Sequence, residues 1–149
     1  MEENINFENT SSPVPVPTDL KTDLEAATQG LYFLSESDEP FEYVEITSQG
    51  GQDDVVSLLK VQLCIPEKAL IETVEYDEFM GPLYEVLDWY GDDEKIMARH
   101  YQTLDNLLKS RLVNLQVIRV GEGQVAIYVL GQDAATCQWL GVKTTSIET

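Results

Sequence analysis

Asp92 to Leu112 reads DDEKIMARHYQTLDNLLKSRL, and this stretch decides the fold. Met97, Tyr101, Leu104, Leu108 and Leu112 follow at spacings of four, three, four and four, one continuous stripe along an α-helix. Asp92 and Asp93 are placed to accept hydrogen bonds from the free amides at its start, and their charge suits the positive end of the helix dipole. Lys109 and Arg111 stand in the last turn, where cations are favoured, and Asn114 is a left-handed stop. A helix with one apolar side must press it on something. The runs that follow, LQVIRV and VAIYVLG, read as the sheet it covers.

Outward from that helix, the chain reads as further strands and shorter helices. Leu115 to Val120 and Gln124 to Leu130 form a hairpin across GEG, and a last strand spans Trp139 to Ile147. That strand keeps the carboxylate of Thr149 near the folded body. Upstream, TDLKTDLEAATQ from Thr18 to Gln29 is a first helix, capped by Thr18, striped by Leu20, Leu24 and Ala27, and ended by Gly30. Leu31 to Leu34 and Phe41 to Ile46 read as strands separated by a polar loop, Ser35 to Pro40, that presents Glu36, Asp38 and Glu39 together. VVSLLKVQLC reads as another strand ending at Cys64, with a turn at Pro66 to Ala69 and a further strand in LIETVEY. Asp77 caps a short helix through DEFM that Gly81-Pro82 ends or kinks, and Leu83 to Trp89 leads into the acidic loop WYGDDE. Helix, strands, helix, strands is the pattern of an α+β domain, a mostly antiparallel sheet with helices packed on it.

Residues 1–17 are acidic and polar and then run into PVPVP, so they read as a disordered arm; residues 18–149 read as one domain. With 149 residues, 43% of them hydrophobic, the chain supports one ordinary core. No apolar run approaches the roughly 20 residues that cross a bilayer, and the start lacks the basic and apolar regions of a secretory signal. A soluble cytoplasmic protein is the expectation. Cys64 and Cys137 read as small buried thiols rather than a disulfide framework.

Charge is the strongest compositional feature: 27 acidic residues against 9 basic give −18. It is also uneven. Nine acids and no Lys or Arg lie between Thr22 and Leu59, nine more and none between Ala69 and Glu94, and five of the nine bases lie from Lys95 to Arg119. Such a surface repels nucleic acid and anionic membranes and speeds encounter with basic partners, although acidity also simply keeps a protein soluble.

Catalytic patterns are absent. His100, the single histidine, adjoins the apolar stripe and reads as a half-buried structural residue, with no partner for a Ser-His-Asp or Cys-His arrangement. Zinc-ligand spacings, a phosphate-binding glycine loop and a calcium loop are missing. Ser57-Leu58-Leu59-Lys60 matches S-x-x-K without its companion motifs, a chance occurrence. Asp92, Asp93 and Glu94 could be imagined around magnesium, but three acids at a helix start are usually capping and dipole compensation. A carboxylate-dependent hydrolase is therefore the weakest reading.

Three segments in order, GLYFLSESDEPFE (Gly30 to Glu42), DWYGDDE (Asp88 to Glu94) and LQVIRVGEGQVAIYVLG with the closing TSIET, resemble the nuclease A inhibitor proteins of cyanobacteria. The resemblance covers Leu20 to Thr149 and is thinnest between Gly50 and Val74. It implies an α/β/α sandwich like that of the plant pathogenesis-related proteins. It also implies a non-enzymatic, cytoplasmic protein, monomeric when free, that blocks the active site of a sugar-nonspecific, magnesium-dependent DNA/RNA endonuclease. The magnesium belongs to the nuclease; the inhibitor carries no cofactor and binds neither nucleic acid nor membrane.

Residue by residue, the resemblance gives Glu36 to nuclease arginines, Trp89 to the interface, and Thr149 to the nuclease's catalytic metal. From chemistry alone, Glu36 is either a solvated loop charge or an acid for an Arg in a dry cleft, and Trp89 either a packing plug or an interface anchor. Thr149 is either a frayed end or a source of hard oxygen ligands. The rival function is an acidic interaction module of the same fold with a different basic partner.

Overall fold

The computed structural model describes residues 20–34, 36–46, 54–65, 69–133, 136 and 138–148. In chain order the elements are α1 (Leu20–Thr28), β1 (Tyr32–Leu34), β2 (Asp38–Pro40), β3 (Glu42–Ile46), α2 (Val55–Gln62), β4 (Ile71–Val74), α3 (Tyr76–Tyr84), α4 (Asp92–Arg111), β5 (Leu112–Glu122), β6 (Gln124–Asp133) and β7 (Trp139–Ile147). Five strands form one antiparallel sheet in the order β3-β7-β6-β5-β4, and β1 pairs with β2 in a separate two-stranded ribbon.

Helix α4 buries Ala98, Tyr101, Leu104, Asp105 and Leu108, and Met97 packs half-buried beside them. Its start differs from expectation. Gly91 occupies the cap position, and the acid that bonds back is Glu94, whose Oε1 accepts the Gly91 N–H at 3.0 Å. Its end differs too. Leu112 is already extended (φ −124°, ψ 153°), so helix passes into strand without a loop. Asn114 is left-handed (φ 55°), but it lies at the irregularity of β5 between Val113 and Gln116 and does not stop the helix.

The sheet is buried on both faces. Val117, Ile127, Val129 and Val142 pack with Leu24, Met80, Tyr101, Leu104 and Leu108 of α1, α3 and α4. Ile118, Tyr128, Leu130 and Trp139 pack on the opposite face with Val55, Leu58 and Leu59 of α2. Alternating residues of β5, β6 and β7 thus point to two cores, as a layered α/β/α arrangement requires.

Several local expectations are corrected. VVSLLKVQ forms α2, not a strand: Val55, Leu58 and Leu59 are buried while Val61 is exposed, the period of a helix lying on one side of a sheet. Cys64 is exposed and left-handed (φ 53°), closing that helix rather than filling a core. Residues 35–40 are not a plain loop, because Asp38–Pro40 pairs with Tyr32–Leu34. Helix α3 continues through Gly81-Pro82 to Tyr84; Leu83 and Tyr84 pack on the core and outweigh the amide hydrogen bond that proline lacks. His100 lies on the exposed side of α4. The arm of residues 1–17, the Thr18 cap, Ser35, the turn at 66–68 and Cys137 lie outside the described residues.

Candidate functional site

Topology gathers four segments at one end of the sheet. A helix of 20 residues spans about 30 Å, comparable with the 11-residue strand that follows it in the opposite direction. The loop 85–91 before α4 therefore reaches the level of the turn 121–123 after β5. At that turn Gly121 and Gly123 adopt φ of 113° and 78°, which glycine tolerates without strain. The Glu148 N–H donates to the Gly123 carbonyl at 2.6 Å, and the Gly121 N–H to the Leu70 carbonyl at 2.8 Å. The Glu36 N–H, at the tip of the β1–β2 ribbon, donates to the Ile147 carbonyl at 3.4 Å. The ribbon tip and the end of β7 therefore touch.

The ribbon is fastened from below. Tyr101 of α4 donates its hydroxyl hydrogen to the Tyr32 carbonyl at 2.5 Å. Phe33 stacks on Phe79 of α3 with ring centres 5.7 Å apart and meets Phe41 edge-on at 6.4 Å. Aromatic contacts of this kind fix a two-stranded ribbon that would be marginal alone. The end of β7 is fixed as well. Arg119 Nη2 donates to Glu148 Oε2 at 2.6 Å, Arg119 Nε lies 3.4 Å from Glu72, and Ser146 Oγ donates to the same Glu148 oxygen at 2.7 Å. The Arg119 hydrogen bond, with that of Ser146, holds the Glu148 carboxyl below its ordinary range.

Of the three predicted site residues, Glu36 stands exposed at the ribbon tip beside Ile147. Trp89 lies in the loop 85–91 with 73% of its surface exposed, so among the described residues it is not a buried packing plug. Its ring meets Tyr90 edge-on at 4.7 Å. Thr149 lies outside the described residues and directly follows Glu148. Trp89 and Leu34 of β1 line one cavity of about 200 Å³ together with Pro82, Leu83, Glu94 and Met97, which connects the ribbon to the loop 85–91. Leu34 is 63% exposed and Val86 55%. Sequence reasoning missed these two apolar residues; their one signal is their position against turn and acidic text.

Among the described residues no three His, Cys, Asp or Glu side chains are grouped to hold a metal ion. Among them, too, no helix is long and apolar enough to cross a membrane. The model of the family described as nuclease A inhibitor-like protein matches residues 18–149. The chain belongs to the nuclease A inhibitor-like family. Comparison with curated proteins finds no match. In this inhibitor-like protein, the three segments that carried the sequence resemblance contribute the ribbon tip, the loop before α4 and the β5–β6 turn with the end of β7, all at the same end of the sheet.

Proposed function

We propose that this chain is a stoichiometric protein inhibitor that occludes the active site of a sugar-nonspecific, magnesium-dependent DNA/RNA endonuclease. Beside family membership, the observation that carries the reading is the hydrogen bond from Glu36 N–H to the Ile147 carbonyl. It supports the reading because Ile147, which accepts from Glu36, stands two residues before Thr149 in the sequence. In this reading Glu36 occupies an arginine that otherwise holds substrate phosphate, and Thr149 offers hard oxygens to the nuclease's magnesium. Trp89 packs against the nuclease surface beside them. The inhibitor acts without catalysis, without a metal of its own and as a monomer before binding, in the cytoplasm of the cell that makes the nuclease.

The test is a plasmid-digestion titration with a secreted sugar-nonspecific nuclease and magnesium. Cutting should stop near a one-to-one ratio. Glu36→Ala removes a partner from a desolvated charge pair, an expected loss of about 2–5 kcal/mol of binding. Trp89→Ala should cost about 2 kcal/mol or more, and removal of Thr149 should weaken inhibition with the domain still folded. Three single variants that inhibit like the parent would remove the site assignment. A folded parent that gives no protection in large excess would favour an acidic module with another basic partner.

A further inference from the structure

The cavity between the ribbon and the loop 85–91 is unused by Glu36 and Thr149. Its lining is unusual for an acidic surface: Leu34, Pro82, Leu83 and Met97 make it apolar, Trp89 and Tyr90 add aromatic rings, and Glu94 contributes a carboxylate. We propose that this cavity receives an arginine side chain of the bound protein, with the methylene stem along Leu34, Leu83 and Met97. Its guanidinium stacks on the Trp89 indole and pairs with Glu94. The inference takes the partner's identity from the inhibitor reading; the chemistry of the cavity stands independently of it.

The lining selects this occupant. A wholly apolar side chain would desolvate Glu94 without compensating it. An acidic one would meet Asp92, Asp93 and Glu94 on the first turn of α4. Those three charges also outweigh the roughly half positive charge that a helix start presents to a cation. Arginine combines a long apolar stem with a planar, weakly hydrated cation that stacks on tryptophan and donates to carboxylate, which lysine does less well. Glu94 is positioned for it: Oε1 is held by the Gly91 N–H at 3.0 Å, and Oε2 has no hydrogen bond among the described residues. Trp89 is ready as well, with its ring set against Tyr90 and its surface largely open.

The probe is N-acetyl-arginine amide, with N-acetyl-citrulline amide as its neutral isostere, titrated into the ¹⁵N-labelled full chain. The indole N–H resonance of Trp89 should shift saturably with the arginine compound and little with citrulline, while that of buried Trp139 stays in place. Glu94→Gln keeps the oxygen that accepts from Gly91 but removes the charge, and should weaken binding about threefold or more. Leu34→Ala should weaken it through lost stem contact. An unmoved Trp89 resonance, equal shifts from both compounds, or undiminished binding by both variants would overturn the proposal. The nuclease titration is read separately. Amide binding without nuclease inhibition keeps the cavity assignment and removes the inhibitor reading, and the converse result does the opposite.

Discussion

Asp105 sits at 3% exposure within α4, between core residues Leu104 and Leu108. It is tolerated because the Tyr76 hydroxyl donates to its Oδ1 at 2.7 Å and Lys109 Nζ lies 3.6 Å away, while Lys109 also reaches Asp77 at 3.2 Å. Asp105→Ala should cost about 2–3 kcal/mol, because a buried hydroxyl then loses its acceptor; Tyr76→Phe should cost about 1–2 kcal/mol. Urea unfolding measures both. Burial, reinforced by the Asp105 bond, raises the Tyr76 phenol far above its ordinary pKa. The folded state thus favours the protonated phenol. Its contribution is complete below the unfolded value of about 10 and is lost as pH rises beyond it. Between pH 9 and pH 11 (roughly the onset of unfolded-tyrosine ionisation), the parent should lose stability more steeply than Tyr76→Phe; equal slopes would contradict the assignment. None of this was legible beforehand. An acid beside an apolar stripe reads as solvated, and its partner lies 29 residues away, visible only when α3 packs on α4.

At the scale of elements, the legible parts were those with one long, unambiguous period. Helix α4 and the hairpin β5–β6 stand within a residue or a few of their expected positions, because each buries one regular set of side chains. Helix α2 was misread. VVSLLKVQLC is rich in β-branched and apolar residues, a composition that favours strands, and only burial on one side reveals the helical set Val55, Leu58 and Leu59. A strand would put Val61 on the same face as Leu59, whereas Val61 is 80% exposed and Leu59 is 1%. Leu59→Ala should therefore destabilise by about 2–5 kcal/mol and Val61→Glu by no more than about 0.5 kcal/mol. Comparable losses at both sites would argue for the strand. The sheet sets a second local limit at Gly141, where an added Cβ would come 1.9 Å from the Val129 carbonyl oxygen. Gly141→Ala should cost about 4 kcal/mol or more, read as loss of the cooperative thermal transition. The β1–β2 ribbon escaped the sequence reading for a related reason: its three-residue strands are too short to show a period, and aromatic contacts with α3 hold it.

For the whole molecule, the distribution of charge matters more than its total of −18. Among the described residues, cations act as internal struts: Lys109 holds Asp77 and Asp105, Arg111 holds Asp23 at 3.0 Å, and Arg119 holds Glu72 and Glu148. The acids Asp88, Asp92, Asp93 and Glu94 are exposed at the end where Trp89 is exposed, and Glu36 is exposed at the ribbon tip. A basic partner would be steered to that end over distances longer than any contact, a rate effect that salt screens with a Debye length of about 10 Å at 0.1 M. Contacts formed after docking are shielded from salt and act on dissociation. Raising ionic strength from about 0.05 to 0.5 M should therefore slow association with the nuclease by about tenfold or more while changing dissociation by less than about twofold. Trp89→Ala should do the reverse, speeding dissociation with little change in the salt slope. Stopped-flow association and competition-chase dissociation separate the two. If salt accelerated dissociation as strongly as it slowed association, the complex would be held by diffuse acidity, and the assignment of Glu36 and Trp89 as anchored contacts would fall with it.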